Sequence, residues 1–403
     1  MDTPRESRTL GSGLTSHLLD PRDLSVAELD RWRTLADRAA EPNPYFRAEY
    51  VLANALERRR SVSLIVVRDA DRWVACLPIT QRAASRTLPL PHVGALTDEY
   101  SLLGTPLIHR DDVRAAADAL VESNQESRGP AALIIDQLAF DGPVGPALLA
   151  AAEARGMRPI TVRRFERAAW RKTDDAADPG KPGKDTDVRR LRRRARRLAE
   201  ELGGSVQVVD RTEAPEAAEL FLAMENSGWK AEQGTALAST SEDAAFFRRI
   251  CREMAGAGLL RIISLEVNGR PLAMECHLRD GDALFSFKIA YDHAFGSFSP
   301  GAQLDLHLIE GFAGQGIAIV DTCASPANAH MNRLWPHRRP MRTLVLPSGA
   351  RSSVLVRPFV AGKSMVRSVQ KDVARLRRGT VKGVGSAVFA AATSTWEGAA
   401  YLL

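Results

Sequence analysis

Two neighbouring stretches, FSFKIAYD (residues 285–292) and FGSFSPG (residues 295–301), decide the fold. The first alternates large apolar residues with small or polar ones, which is typical of a strand. The second is rich in Gly, Ser and Pro and leads into a predicted helix at residues 302–314. Backbone N–H groups at a helix start bind phosphate oxygens, and Pro300 suits a first helical turn. The pattern therefore predicts either a phosphate site or an ordinary loop that caps a helix.

The residues around this loop predict an α/β lobe. Two helices precede three strands, and tight Asn268-Gly269 and Asp280-Gly281 turns indicate an antiparallel meander. The expected helices cover residues 214–227, 242–257 and 328–335, and the expected strands cover residues 206–209, 260–267, 271–278, 283–290, 317–320, 342–346 and 352–356. The apolar run at 317–320 is expected to be a buried strand that ends at Asp321.

The first half of the chain shows a similar order of elements. Ser25 and Glu28 predict a capping box, followed by a hairpin at 62–67 and 73–79. Further strands are expected at 101–108, 131–138 and 158–165, with helices at 112–123 and 144–155. The fold class is therefore α/β with mixed sheets, built from two similar lobes in tandem.

Composition shifts predict the domain boundaries. Residues 171–187 contain Pro, Gly, Lys and Asp but no large apolar residue, as expected of a connector. The predicted divisions are a disordered N-terminus (1–20), an N-terminal lobe (21–170), a linker (171–187), a C-terminal lobe (188–358) and a basic helical tail (359–403).

Composition also predicts the class of protein. Of 403 residues, 45% are hydrophobic and 26% are charged, as in soluble globular proteins. No apolar stretch reaches the ~20 residues that cross a bilayer, and the N-terminus lacks the apolar core of a signal peptide. We therefore expect a cytoplasmic protein. The four cysteines are too widely spaced to suggest a metal site, so none is predicted.

Basic residues cluster at 189–197 and at 363–382. Such clusters are either solvated helix faces or contacts for phosphate, nucleic acid or lipid headgroups. Because Arg occupies almost every position of 189–197, we expect that helix not to be strongly amphipathic. The tail is expected either to lie on an anionic membrane surface or to dock on the protein.

Acidic and basic side chains at three places are candidates for chemistry. Glu275 and His277 lie two apart on a predicted strand and so face the same side, with Lys288 as a natural ion partner. Because an unpaired carboxylate is costly to bury, Glu275 is predicted either to form a salt bridge or to act as a base. Asp321 ends a buried strand, where α/β folds tend to bind ligands. Glu225, at a helix end, is predicted to be either a base or part of a surface ion pair.

The C-terminal lobe resembles the GNAT superfamily of acyltransferases, in particular the acetyltransferase branch associated with cellulose and exopolysaccharide biosynthesis, and is similar to the FemABX peptidyltransferases. The resemblance is carried by MENSGWK (224–230), Gly234, IAYD (289–292), SPG (299–301) and Asp321. It implies the acyl-CoA N-acyltransferase fold, with a degenerate first lobe. The loop departs from the family pattern, because the Q/R-x-x-G-x-G/A motif is missing.

The resemblance also implies roles for individual residues. An acyl-CoA donor, such as acetyl-CoA, would lie against Lys288, Ile289, Ser299, Pro300, Gly301 and Ala302. The acceptor would lie near Trp229, Lys230, Asp292 and Trp335. The implied catalytic candidates are Asp321, Glu275, Glu225 and His330. His330 stands where the family commonly has a Tyr acid, and packing is its alternative role.

Three functions follow from the sequence. The first is acyl transfer from acyl-CoA to an amine or hydroxyl of a small polar or sugar acceptor, in polysaccharide or cell-envelope metabolism. The second is a peptidyltransferase that uses aminoacyl-tRNA, for which the long helical hairpin of some relatives is missing, so nucleic acid is not the expected partner. The third is a non-catalytic binding protein of the same fold.

Overall fold

One mixed sheet runs through both lobes. The computed structural model describes residues 6–83, 88, 90–125, 130–172, 180–312, 316–349 and 352–358. The strands are β1 Glu6–Thr9, β2 Thr15–Leu19, β3 Ser63–Asp69, β4 Arg72–Arg82, β5 His92–Ala95, β6 Leu107–Ile108, β7 Ala132–Ala139, β8 Ile160–Arg171, β9 Val206–Asp210, β10 Leu260–Val267, β11 Arg270–Asp280, β12 Ala283–Tyr291, β13 Ile319–Asp321 and β14 His337–Pro347. Within the described part their order is β1-β2-β3-β4-β5-β7-β14-β8-β13-β12-β11-β10-β9, with β6 beside β4.

Helices cover the sheet. They are α1 Val26–Asp37, α2 Ala48–Glu57, α3 Val113–Gln125, α4 Val144–Ala154, α5 Asp185–Glu201, α6 Ala217–Asn226, α7 Trp229–Glu232, α8 Ser241–Gly256, α9 Pro300–Gly311 and α10 Ala329–Leu334. The capping box is confirmed, since Ser25 and Glu28 cap α1 reciprocally. The α/β class with a mixed sheet is confirmed as well. No helix of the described residues is long and apolar enough to cross a bilayer.

The C-terminal meander is confirmed strand by strand. Strands β9 to β12 pair antiparallel. Asn268 and Gly269 both have positive φ, as an Asn-Gly hairpin turn requires. Helices α6 and α8 pack on one face of this part of the sheet, and α5 and α9 pack on the other.

The two lobes exchange strands. Strand β14, from the end of the C-terminal half, pairs antiparallel with β7 and β8 of the first half. Strand β8 in turn pairs with β13. The sequence pattern predicts β14 as a strand but does not predict these partners, because local periodicity carries no information about pairing over such a distance.

An aromatic cluster joins the lobes on the α2–α8 side. Tyr50 of α2 meets Phe246 of α8 and Phe287 of β12 edge to face, with ring centroids 5.5 and 6.2 Å apart. Tyr100 stacks on Phe246 at 5.8 Å. Such pairs contribute about 0.5–1.5 kcal/mol each beyond the area they bury, so the cluster fixes Tyr100 against the C-terminal lobe.

Three expectations are corrected. Residues 6–9 and 15–19, expected to be disordered, form a hairpin that extends the sheet edge through β3. Residues 352–358 are helical rather than a strand. Helix α5 is strongly amphipathic, because it buries Val188, Leu191 and Leu198 on one side and turns all of its arginines except Arg194 outward. The basic tail from residue 359 lies outside the described residues.

Candidate functional site

A wedge opens between two strands of the C-terminal lobe. Strand β12 pairs in parallel with β13 over only three residue pairs, ending at Phe285 and Asp321. Strand β12 then continues to Tyr291, while the chain after Asp321 turns away into the loop 322–326. A bulge between Cys276 and His277 on the neighbouring pairing adds a local kink to β12. The divergence leaves room beside β12 for an extended ligand.

The loop after β12 ends at the start of α9. Ser299 has left-handed backbone angles (φ 54°, ψ 55°), and its side chain does not cap the helix. Instead Arg194 of α5 donates a hydrogen bond of 2.6 Å from Nη1 to Ser299 Oγ. Pro300, Gly301 and Ala302 are buried, and a Cβ on Gly301 would lie 2.9 Å from Ile289 Cδ1. The structure thus brings the loop 299–302 together with Ile289 and adds the Arg194 cation.

Lys288 lies at the junction of the two lobes. Its Nζ is 4.5 Å from the centre of the Tyr100 ring and 3.7 Å from Glu225 Oε1. Glu225 is buried on α6, and its other oxygen accepts a 2.8 Å hydrogen bond from the Leu237 N–H. Glu225 therefore holds Lys288 and a loop in place, rather than forming a surface ion pair.

Glu275 and His277 face α9 instead of the wedge. Both are almost fully buried, and His277 Nε2 lies 3.0 Å from Glu275 Oε1 at an angle that misses hydrogen-bond geometry. Asp305 of α9 lies in the same layer, where burial and the Glu275 charge raise the pKa of Asp305 well above its usual range. Glu275, His277 and Asp305 therefore form a buried polar layer of the core.

Trp335 and His330 border the same layer. Trp335 is buried and donates from Nε1 to Asp305 Oδ1 at 3.1 Å, so it does not face a ligand. His330 is exposed on α10, with Nε2 3.9 Å from Asp305 Oδ2. Partial burial, Arg333 and Arg190 lower the pKa of His330.

Asp321 is the centre of a buried ion triad. Its Oδ2 accepts from Arg167 at 2.6 Å and from Arg339 at 2.8 Å, and its Oδ1 accepts the Cys323 N–H at 2.9 Å. Burial alone would raise the pKa of Asp321, but the two guanidinium groups outweigh it and hold the pKa below its usual range. Arg167 belongs to β8 and Arg339 to β14, so Asp321 ties the exchanged strands together. This is the environment of a structural ion pair, with no side-chain surface left for a substrate.

The remaining predicted residues are near the loop. Asp292 caps the segment His293–Phe298 by accepting from the Ala294 N–H at 3.0 Å, and its other oxygen pairs with Arg270 at 2.7 Å. Trp229 and Lys230 lie in the short helix α7, and their side chains are outside the described part of the structure.

A cavity of about 730 Å³ lies between the lobes. Its walls come from β4, β7, β8 and the segment after β5, and the loop 323–326 covers it from the C-terminal side. The charged and polar residues Arg82, Asp98, Asp136, Gln137 and Arg163 line it. The described residues hold no group of three or more His, Cys, Asp or Glu that suits a metal ion.

Neither the contact of Arg194 with the loop nor the cavity was predicted from the sequence. One signal was available for the cavity: Ile134-Ile135-Asp136, within β7, repeats the residue pattern of Ile319-Val320-Asp321. For Arg194, helical spacing places it on the same side as Leu191 and Leu198, toward the core and the α9 start.

Comparison with known proteins agrees with this geometry. Residues 186–329 match the family described as acetyltransferase (GNAT) domain. The fold is the GNAT fold. This stretch contains the meander, the wedge and the loop, so the match covers the part of the chain that holds the candidate site. No curated protein sequence matches the chain.

Several solved structures are similar to this chain. FemX superposes with a TM-score of 0.54 at 10% identity, covering 79% of this chain and 96% of FemX. A conserved protein of unknown function from Bacteroides thetaiotaomicron gives 0.50 at 11% identity, covering 80% and 98%. A tandem GNAT protein from the clavulanic acid biosynthesis pathway gives 0.40 at 15% identity, covering 84% and 99%. At these identities the first two likenesses concern the fold alone.

Proposed function

We propose that the chain transfers an acyl group from an activated donor, held by the C-terminal lobe, to the amine or hydroxyl of a small polar acceptor that enters between the lobes. The observation that carries the proposal is the wedge between β12 and β13, which end their pairing after three residue pairs. It lies within the stretch that matches the GNAT family. An acyl-CoA, such as acetyl-CoA, is the proposed donor.

The donor would lie along β12 with its diphosphate toward the start of α9. A helix start offers N–H groups and the positive end of a dipole, which favour phosphate. Arg194 adds a guanidinium 2.6 Å from Ser299 at the same place. In this proposal it supplies the charge that the missing Q/R-x-x-G-x-G/A motif does not provide. Because Pro300 to Ala302 are buried, donor binding would have to shift the side chains that cover the loop.

The reaction needs a nucleophile, charge stabilisation and a leaving group. The acceptor nitrogen or oxygen forms a bond to the acyl carbon, the bond from that carbon to the donor sulfur breaks, and the proton released by the acceptor passes to the departing thiolate. Negative charge develops on the carbonyl oxygen, and a preorganised cation lowers the barrier there. Lys288, held by Glu225 beside the wedge, is the proposed cation.

A second donor class is favoured by one observation. Helix α5 turns Arg193, Arg196 and Arg197 outward, and they make no ion pair with a described residue. Because α5 also carries Arg194, this basic surface lies next to the proposed diphosphate site. Phosphate neutralisation by such a surface favours RNA, so an aminoacyl-tRNA donor is the alternative proposal.

Product analysis separates the two donors. The full chain is incubated with a mixture of amino sugars and amino acids, once with acetyl-CoA and once with charged tRNA, and products are detected by mass spectrometry. We expect an acetylated product that RNase treatment does not reduce. A product that forms only from charged tRNA and is lost with RNase would shift the proposal to the second donor, and no product from either donor would reject acyl transfer. A setting in polysaccharide or cell-envelope metabolism and the cytoplasmic localisation stay predictions.

A further inference from the structure

The walls of the inter-lobe cavity carry an uneven set of charges. Asp98 pairs with the buried Arg58 at 2.7 Å, and Glu99 pairs with Arg60 at 3.2 Å, so these charges compensate one another. Arg163 also lines the cavity and lies over the Phe165 ring, 4.3 Å from its centroid. Two further lining groups are different. Among the described residues, Arg82 donates to the Thr97 carbonyl oxygen at 3.3 Å, and Asp136 accepts from Thr343 Oγ1 at 2.7 Å.

Neither Arg82 nor Asp136 makes an ion pair with another residue that the structure describes. A charge that lines a cavity without an opposite charge is suited to a ligand that supplies one. We infer that this cavity binds the acceptor, and that it selects a molecule carrying both an anionic group, for Arg82, and an amine, for Asp136. A volume of about 730 Å³ is in the range of small-molecule sites.

Two strained corners shape this cavity. Gln137 on its floor and Cys323 on its cover both have left-handed backbones, with φ of 51° and 52°. Left-handed angles are uncommon outside glycine, and such residues cluster at ligand sites when the surroundings hold them in place.

The ion triad holds both corners. Arg167 donates to Gln137 Oε1 at 2.9 Å and to Asp321 Oδ2 at 2.6 Å, while Asp321 Oδ1 accepts the Cys323 N–H. One connected set of hydrogen bonds therefore runs from the floor of the cavity to its cover. Asp321 is a positioning residue for the cavity in this account.

The cover of the cavity follows one strand of the wedge in the sequence. This cover, the loop 323–326, begins two residues after β13, the strand that forms one side of the wedge. That the ligand of the cavity is the acceptor rests on the proposed acyl transfer. That the cavity binds a ligand with an anionic group and an amine does not depend on it.

Binding to three related sugars tests the inference. Glucosamine 6-phosphate carries an amine and a phosphate, glucose 6-phosphate only the phosphate, and glucosamine only the amine. Calorimetric titration of the full chain should give glucosamine 6-phosphate a Kd at least about tenfold below the other two, since each charge-assisted contact is worth roughly ten- to a hundredfold. Arg82→Gln should remove the advantage of the phosphate and Asp136→Asn that of the amine. Arg114→Gln, exposed on α3 away from the cavity, is the matched control.

Two results would overturn the inference. One is the absence of saturable binding of glucosamine 6-phosphate, and the other is equal Kd values for the three sugars or for the wild type and both cavity variants. A chain that binds acetyl-CoA but none of the sugars refutes the cavity assignment and leaves the proposed function standing. A chain that binds the sugar through Arg82 and Asp136 but transfers no acyl group supports the ligand site and refutes its role as acceptor site.

Discussion

Replacing Asp321 by Asn should lower the stability of the junction between the lobes without changing a group that takes part in the reaction. The side chain is fully buried between Arg167 and Arg339, at 2.6 and 2.8 Å. Asn keeps the shape and the acceptor for the Cys323 N–H but removes the only full negative charge that touches both Arg167 and Arg339 among the described residues. Removing one partner of a buried ion pair costs about 3–5 kcal/mol, because the remaining charge is left uncompensated. We expect a loss of that size in the free energy of unfolding.

Urea unfolding followed by far-ultraviolet circular dichroism measures this loss. The matched control is Glu219→Gln, which breaks the exposed Glu219–Arg248 pair and should cost about 1 kcal/mol or less. A second arm follows pH. Because the pKa of Asp321 is depressed in the folded protein, its contribution should be complete above its unfolded value near 4 and should be lost as pH falls below it.

An Asp321→Asn variant with the same free energy of unfolding as Glu219→Gln would refute the structural role of Asp321. Full stability combined with lost transfer activity would instead restore the catalytic role that the sequence suggested for Asp321.

Three further predictions concern other sites. Burial raises the pKa of Glu41 to about 7, although the Val144 N–H and Arg339 lower it. The folded state therefore holds the proton on Glu41 more tightly than the unfolded state does. Up to about 3 kcal/mol of stability should be lost as the pH rises from roughly 4.5 to 7. Glu41→Gln should flatten this decline in urea unfolding at pH 5 and 8, and an unchanged slope would count against it. Lys288→Met, made together with Glu225→Gln so that no buried charge is left unpaired, should lower kcat by about 10²–10³ with the acceptor KM little changed. Lys288→Arg in the native background should retain more activity. A double variant as fast as the wild type would exclude Lys288 from catalysis. Gly301→Val places side-chain carbon against Ile289 and should weaken acetyl-CoA binding in an equilibrium titration, while Gly256→Val, with open space around it, should not; equal affinities would remove the loop from the donor site.

The sequence was most informative where contacts are local. The alternation in residues 260–290 and the Asn268-Gly269 turn predicted the meander, because the pairing of two strands across a tight turn is determined by residues that are close in the sequence. The loop before α9 was predicted for the same reason. By contrast, β1 (ESRT) has no apolar residue and β2 (TSHLL) has apolar residues only at its end, so no apolar alternation marks this hairpin, whose pairing depends on the edge of β3.

The role of Asp321 depended on partners that sequence did not reveal. Arg167 and Arg339 lie 154 and 18 residues away, on strands that the lobes exchange. A buried strand end followed by a carboxylate predicts either a ligand site or an ion pair, and only the exchange decides between them. The cavity escaped prediction for a related reason, since Asp136 and the loop 323–326 meet only when both lobes are assembled.

Titration of the full chain with acetyl-CoA, on the wild type and on Arg194→Ala and Arg196→Ala, tests the donor site most directly. We predict one saturable site, a Kd raised roughly ten- to a hundredfold by Arg194→Ala because a charge-assisted phosphate contact is lost, and a Kd left unchanged by the exposed neighbour Arg196→Ala. Absence of binding, or equal affinities for all three proteins, would contradict the placement of an acyl-CoA donor at the start of α9.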